Sequence, residues 1–205
     1  MTDVIRMHET SKWFGEVVAV NNLSVAIGPG VTGLLGPNGA GKSTFIKLAL
    51  GLYVPSRGSV DVFGATPRNN LDALRRIGYC PETDAFPEGM TGRDFVYWNM
   101  RFHGMAHGAA QSAAREALAR LRMEHRMDDR IAGYSKGMRQ RVKIAQAIAH
   151  RPDLVFLDEP MSGLDPEGRE ELFAFIRDYA RDGRTVLVSS HILHEIERIT
   201  THVVM

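Results

Sequence analysis

A glycine-rich run at residues 36–44, "GPNGAGKST", has the spacing of a Walker A motif, in which Gly-Lys-Ser follows a first glycine after four residues. Glycines let the backbone turn its N–H groups toward a phosphate, the lysine brings a cation to the β and γ phosphates, and the serine offers a hydroxyl to Mg²⁺. A strand pattern, "VTGLLG", precedes the run, and a helical pattern follows it. The run therefore predicts a nucleotide-binding loop and not a plain glycine turn. Its residues are Gly36, Pro37, Asn38, Gly39, Ala40, Gly41, Lys42, Ser43 and Thr44.

Two acidic residues, Asp158 and Glu159, close a second apolar run, "LVFLDEP". A carboxylate at the carboxyl end of a strand beside a phosphate loop can hold Mg²⁺ through water, and a second one can orient and deprotonate an attacking water. We therefore assign the metal role to Asp158 and the general-base role to Glu159. The alternative is a strand that ends in a solvated acidic turn.

A histidine, His191, follows a third apolar run in "TVLVSSH". At the end of a strand its side chain could reach the γ phosphate and the attacking water. A histidine in this position is also commonly an ordinary helix-entry or surface residue. The residue pattern alone leaves both interpretations open.

A second candidate anion site lies in "GYSKGMRQR", residues 133–141, which has the pattern of a helix start. Ser135 offers a hydroxyl there, beside the free N–H groups of a first helical turn. Ser135 can equally cap the amphipathic helix that follows, and the two roles do not exclude each other. Since residues 36–44 already cradle a phosphate, a site on a separate lobe is better placed to cap a nucleotide held by another molecule.

Strand and helix patterns alternate along the chain, which predicts an α/β fold with a mostly parallel sheet covered on both faces. Helical spacing after residue 42 places Phe45, Leu48 and Leu52 on one face. From about residue 84 the strand patterns stop and helical ones replace them, so we expect an inserted all-helical subdomain. The predicted division is one domain over 1–205, with an α/β core at 1–83 and 141–205 and a helical subdomain at 84–140.

Composition narrows the classes of partner. The 205 residues, 44% of them hydrophobic, suffice for a packed core, and 25 Lys and Arg nearly balance 24 Asp and Glu, so we expect no nucleic-acid partner. No run approaches the roughly 18 apolar residues of a membrane span, and the first residues lack a secretory pattern. Cys80 is the only cysteine, which excludes an internal disulfide. These features are typical of a cytoplasmic protein.

The order of the motifs resembles the nucleotide-binding domain of an ATP-binding cassette (ABC) transporter over nearly the whole chain. The motifs are "KWFGEVVAV", "GPNGAGKST", "IGYCPETD", "YSKGMRQR", "LVFLDEP", "MSGLD" and "SSH". The resemblance implies a P-loop NTPase (RecA-like) core, an N-terminal antiparallel β subdomain and the inserted helical subdomain. It also implies an adenine-stacking aromatic at Phe14, a metal-binding Q-loop position at Glu82, a signature motif with Ser135 and Gly137, a D-loop around Asp165 and a switch histidine at His191.

Residue types leave two of these roles open. Phe14 can be an apolar residue at a strand edge, as Trp13 beside it can, and not an adenine platform. Asp165 precedes a proline and can simply form an Asp-Pro turn.

Two motifs depart from the common family pattern. Glu82 stands where glutamine is usual; either side chain can place an oxygen near Mg²⁺, but glutamate adds a charge that favours the metal and repels the γ phosphate. The signature reads Tyr134-Ser135-Lys136-Gly137-Met138, with a lysine between the serine and the retained glycine. A cation at a helix N-terminus opposes the helix dipole, which an arriving anion would offset. Both variants resemble the ABC-2 exporter branch.

The resemblance also implies cofactors and partners. ATP and Mg²⁺ would bind between two cassettes arranged head to tail, and the second cassette would be another copy or a homologous subunit. Transmembrane permease subunits would hold the protein on the cytoplasmic face of the membrane. The aromatic segment "DAFPEGMTGRDFVYW" is a candidate docking site for them, but Phe95, Trp98 and Phe102 have helical spacing and can instead form lobe core.

Two other functions stay open at this point: a soluble ABC-type ATPase not associated with transport, and a module that binds ATP without hydrolysing it. The sequence shows neither the heptads nor the repeated cassette expected of the first, and Glu159 with His191 argues against the second. The chain ends on an apolar strand pattern without a polar cap, "THVVM", as a fragment of a longer protein would.

Overall fold

The computed structural model describes residues 3–205, so the first two residues of the predicted core lie outside the described part. Its strands are β1 (Ile5–Phe14), β2 (Val17–Ile27), β3 (Val31–Leu35), β4 (Arg57–Val62), β5 (Ile77–Cys80), β6 (Leu154–Leu157), β7 (Thr185–Ser190) and β8 (Val203–Val204). Its α-helices are α1 (Lys42–Ala49), α2 (Leu71–Leu74), α3 (Gly92–Phe102), α4 (His107–Arg120), α5 (Lys136–Ile148), α6 (Pro166–Arg181) and α7 (Leu193–Glu197).

The central sheet has the strand order β5-β6-β7-β3-β8, and all its neighbouring strands are parallel. Every residue of β6 and β7 is buried, as expected for strands covered on both faces. The carboxyl ends of β6, β7 and β3 therefore meet at one edge of the sheet, which is where ligands bind in open α/β sheets. The predicted α/β fold is confirmed.

A second sheet, with the order β2-β1-β4, is antiparallel and confirms the N-terminal β subdomain. Strands β1 and β2 extend well beyond the short apolar runs in the sequence. Each strand pairs with a neighbour along most of its length, so backbone hydrogen bonds extend the strands over polar residues as well. The hairpin tip between them holds residues 15 and 16, next to Phe14.

The helical insertion consists of α3, α4 and the first part of α5, packed around buried apolar side chains. Val96 and Met100 of α3 meet Ala114 and Leu118 of α4 in this core. Helix α5 runs without a break through the predicted boundary at residues 140 and 141. The lobe and the parallel sheet therefore share one helix, since α5 contacts α3 and α4 as well as β5 and β6.

One expectation for α1 is wrong. Phe45 and Leu48 are buried on one face of this helix, but the helix ends at Ala49 and Leu52 is 62% exposed. The backbone of Gly51 turns into the left-handed region, which takes Leu52 off the helical spacing.

None of the helices in residues 3–205 combines the length and the apolar composition that a membrane crossing requires.

The contact between β5 and α5 generates a stability prediction. A Cβ atom at Gly78 would lie 2.0 Å from the backbone oxygen of Ala147, so Gly78→Ala forces the strand and the helix apart. We expect a loss of about 1–3 kcal/mol in the free energy of unfolding, measured by urea denaturation. The matched control is Gly108→Ala in α4, where a Cβ meets no atom within 4 Å and where alanine favours the helix. Equal stability of the two variants would contradict the tight contact.

Candidate active site

The phosphate loop connects β3 to α1 and is fixed at both ends. At its start, the N–H of Gly36 donates to the backbone oxygen of Ser190 at the end of β7 (3.3 Å). At its end, Gly41 caps α1 with φ 92°, and a Cβ there would lie 2.2 Å from the backbone oxygen of Ala19. Only glycine satisfies both the left-handed backbone and this close approach. The shape of the loop is therefore set by the sheet below it and by β2 beside it.

Lys42 is the first residue of α1, and its side chain folds back over the loop. Its ammonium donates to the backbone oxygens of Gly36 (2.7 Å) and Pro37 (3.1 Å). It also lies 3.2 Å from Oε1 of Glu159, in an ion pair without the geometry of a hydrogen bond. Lys42 and Glu159 are 8% and 9% exposed, so this is a buried pair of opposite charges. A phosphate entering the loop would meet this ammonium.

Asp158 and Glu159 follow β6 and are held by a serine on the neighbouring strand. The hydroxyl of Ser189 donates to Oδ1 of Asp158 (2.6 Å) and accepts the N–H of Glu159 (2.8 Å). All three residues are buried. The register of β6 against β7 thus fixes where both carboxylates lie, and the interpretation of a solvated acidic turn is wrong.

Glu159 has a strained backbone, with φ 47°. A left-handed conformation is unusual for a glutamate and costs of order 1–3 kcal/mol, and such strain concentrates at functional sites. Its other carboxylate oxygen, Oε2, lies 2.9 Å from Nδ1 of His191. The glutamate is therefore held between a lysine and a histidine, with both of its oxygens engaged.

His191 follows β7 directly, and its side chain is 45% exposed. The residue pattern leaves the role of His191 open, and the structure shows that its side chain contacts Glu159. The structure brings Lys42, Asp158, Glu159 and His191 together at the carboxyl edge of the sheet. This cluster joins an ammonium, two buried carboxylates and a partly exposed imidazole at the edge where ligands bind in open α/β sheets.

The oxygen donors at this edge fit Mg²⁺, which prefers carboxylate and hydroxyl ligands. Ser43 lies in the first turn of α1, and Asp158 has one oxygen bonded to Ser189. Within residues 3–205, no group of three or more His, Cys, Asp or Glu side chains is placed to hold a metal ion. Glu82 lies in the loop after β5 with an exposed side chain, while its backbone oxygen accepts from Lys143 (2.8 Å). The metal role of Glu82 stays a prediction.

Phe14 ends β1 with a side chain that is 44% exposed. Its ring packs edge-on against Tyr53, with the ring centroids 5.2 Å apart, and the ammonium of Lys12 lies 5.0 Å from its centroid. The geometry leaves part of the ring free for stacking, and the adenine role stays a prediction. The sequence pattern gives no sign of Tyr53, because this residue comes from a separate loop and no spacing connects it with Phe14.

Ser135 caps α5: its hydroxyl accepts the N–H of Met138 (3.2 Å). Asp165 likewise caps α6, where its Oδ1 accepts the N–H of Gly168 (2.8 Å) and Pro166 begins the helix. The capping interpretation of Ser135 is confirmed, and Asp165, expected as a possible turn residue, is a helix cap; neither contact excludes a ligand. Ser135, Gly137 and Asp165 line one open cavity of about 630 Å³ between α5 and α6. The signature and D-loop positions thus form a second group, separate from the Lys42–Glu159 cluster.

Lys136, the lysine that distinguishes this signature, lies across the loop before α6. A Cβ at Gly163 would come within 2.5 Å of the Lys136 side chain, so the glycine makes room for this lysine.

The free cysteine, Cys80, is buried, and burial raises the pKa of its thiol to about 12, so it is not a nucleophile at neutral pH.

Residues 20–162 match the sequence pattern of the ABC transporter family, which is more than half of the chain. The chain therefore belongs to the ABC transporter family. Its P-loop, acidic strand end and inserted helical lobe define the ATPase domain of an ATP-binding subunit within that family.

Individual relatives agree with this class. The chain is 36% identical over 99% of its length to a bacitracin transport ATP-binding protein of Bacillus licheniformis, covering 66% of that protein. It is 34% identical over 98% of its length to a Nod factor export ATP-binding protein of Cupriavidus metallidurans, covering 67% of it. A solved structure of the ATP-binding subunit of an ABC transporter superimposes with a TM-score of 0.86 at 28% identity, over 98% of this chain and 85% of that one. The chain spans about two thirds of the length of these curated relatives.

The bridging hydroxyl of Ser189 can be removed without changing either carboxylate. Ser189→Ala removes the donor to Asp158 and the acceptor for the Glu159 N–H, so two buried polar groups lose their partner. We expect about 1–3 kcal/mol less stability for each orphaned group and a fall in ATP turnover, measured by urea denaturation and phosphate release. Ser112→Ala, at an exposed position of α4, is the control. Unchanged stability and turnover in Ser189→Ala would show that the bridge does not hold the carboxylates.

Proposed function

We propose that this chain binds ATP with Mg²⁺ and hydrolyses it as the ATP-binding subunit of a membrane exporter, together with separate membrane subunits. The observation that carries the proposal is the cluster at the carboxyl edge of the parallel sheet. There the Walker A lysine, the glutamate after β6 and the histidine after β7 are in direct contact.

The residue roles follow from these contacts. The N–H groups of residues 36–44 and the ammonium of Lys42 bind the β and γ phosphates. Glu159 accepts the proton of the attacking water, and His191 keeps the carboxylate oriented through its 2.9 Å contact with Oε2. Ser43, Asp158 and Glu82 are the residues that would hold Mg²⁺. The metal ion, when bound, neutralises the charge that develops on the phosphate oxygens.

The second group of residues supports a head-to-tail pair of cassettes. Ser135 and Gly137 lie at the N-terminus of α5, beside Asp165 and away from the Lys42–Glu159 cluster of the same chain. A helix N-terminus attracts an anion, and here the anion would be the phosphate of a nucleotide held by a second copy or a homologous subunit. The nucleotide would then join the two cassettes, and hydrolysis would release them.

The outer face of α3 supports docking to the membrane subunits. Val96 and Met100 point into the lobe and are buried, whereas Trp98 and Phe102 are 46% and 86% exposed. Phe95, the third aromatic residue with this spacing, packs against the lobe core and Phe86, so only Trp98 and Phe102 stay available to a partner helix. Docking there would hold the protein on the cytoplasmic face of the membrane. The name of the Nod factor relative and the two ABC-2-like motif variants favour export.

The base role of Glu159 has a direct test. Glu159→Gln keeps the size of the side chain and the hydrogen-bond acceptor but cannot take a proton, so turnover should fall by about 10² or more. ATP binding, measured by equilibrium fluorescence titration, should be retained because the phosphate loop is unchanged. Glu167→Gln, an exposed glutamate in the first turn of α6, serves as control. Turnover of Glu159→Gln within threefold of the parent would remove Glu159 from this role.

The head-to-tail arrangement is tested by mixing two inactive variants. Lys42→Ala loses the phosphate-binding cation, and Ser135→Arg fills the second site with a bulky side chain. In a mixed pair one interface carries both lesions, but the other joins an intact Lys42 to an intact Ser135 of the second chain. Phosphate release should therefore partly return on mixing.

The mixing experiment needs two controls. Each variant alone should be inactive yet folded by circular dichroism, and differently tagged chains should co-purify after exchange. If mixed pairs form and the mixture stays inactive, Ser135 does not serve the nucleotide of a second chain.

A further inference from the structure

Glu195, on the short helix α7, is a buried carboxylate to which the roles above give no function. It is 6% exposed and lies four residues after His191. An ionised carboxylate out of water is costly unless hydrogen bonds and an opposite charge compensate it. Its partners therefore indicate what it holds in place.

The first partner is Ser190, the last residue of β7 and the neighbour of His191. The Ser190 hydroxyl donates to Oε2 of Glu195 (2.6 Å) and accepts the N–H of Ile192 (3.1 Å). Glu195 thus closes a small ring of contacts around the backbone on both sides of His191. This ring fixes the direction in which the imidazole leaves the strand.

The second partner is Arg169 in the first turns of α6. Its guanidinium lies 3.5 Å from Oε1 of Glu195, while the N–H of Arg169 donates to the backbone oxygen of Asp165 (3.0 Å). Each oxygen of Glu195 therefore contacts a different element: one the loop of His191, the other the helix that begins at Asp165. The two groups of site residues are connected through this single carboxylate.

We propose that Glu195 is a positioning residue that couples the orientation of His191 to the helix that begins at Asp165. The proposal rests on the roles proposed for Glu159 and His191. Glu195 does not contact the reacting groups. It holds His191 against Glu159 through Ser190, and it connects the loop of His191 to α6 through Arg169. A change at Asp165 that moves α6 reaches His191 by this route.

The test is a double-mutant cycle in the full-length protein, read as kcat and KM for ATP. Glu195→Gln keeps an acceptor for Ser190 but loses the charge that pairs with Arg169. We expect kcat to fall about tenfold, because a small displacement of a site group is costly, with KM and the thermal midpoint close to those of the parent. In a His191→Ala background the same change should lower kcat less than twofold, because the residue through which Glu195 acts is already gone.

Two further variants complete the design. Arg169→Gln removes the other charge from a partly exposed position, and it should reproduce the loss and its dependence on His191. Glu197→Gln changes an exposed glutamate of the same helix and should leave kcat unchanged. If Glu195→Gln does not fold, the Arg169→Gln cycle decides the question.

The outcomes separate the two proposals. If His191→Ala lowers turnover but Glu195→Gln and Arg169→Gln do not, the coupling is overturned and the role of His191 stands. If the losses at 195 and 191 simply add, Glu195 is only a structural anchor and the proposal fails. If His191→Ala itself has parental turnover, the role of His191 is wrong and the coupling falls with it.

Discussion

Two opposite charges, the Lys42 ammonium and the Glu159 carboxylate, are buried 3.2 Å apart where β3, β6 and β7 end. Removing both from water carries a desolvation cost of several kcal/mol per ion, which their attraction offsets only with additional hydrogen bonds. The lysine obtains these from two backbone oxygens of the phosphate loop, and the glutamate has the imidazole of His191. The strand order brings these two charges together, and the shape of the loop and the position of the histidine supply the contacts that compensate them.

Local pattern was enough to predict the elements that bring these charges together. The fully apolar runs of β6 and β7 predict buried parallel strands, and the loop of residues 36–41 has glycines where the backbone requires them. The helical lobe was also predictable, since α3 and α4 follow helical spacing. The end of α1 was not: Leu52 continues the apolar spacing, but the left-handed turn at Gly51 overrides it.

Connections between distant segments account for what the sequence left undetermined. Ser189 could be identified only once β6 and β7 were in register, because its two partners come from another strand. Tyr53 lies beside Phe14, and Arg169 beside Glu195, by the same kind of long-range packing. The aromatic residues of α3 were ambiguous for a different reason. Helical spacing gives the shared face of Trp98 and Phe102, but only the packing of the lobe decides which face turns inward.

The left-handed backbone of Glu159 sets two contributions to stability against each other at one residue. Glycine would adopt φ 47° without strain, but it would leave the Lys42 ammonium buried without its opposite charge. The glutamate is held in place by Ser189, Lys42 and His191, which together offset the strain. Relief of the backbone strain is worth about 1–3 kcal/mol, whereas removing one partner of a buried ion pair costs about 3–5 kcal/mol. In a thermostabilisation campaign, glycine at residue 159 would therefore raise the melting temperature only together with a neutral residue at position 42.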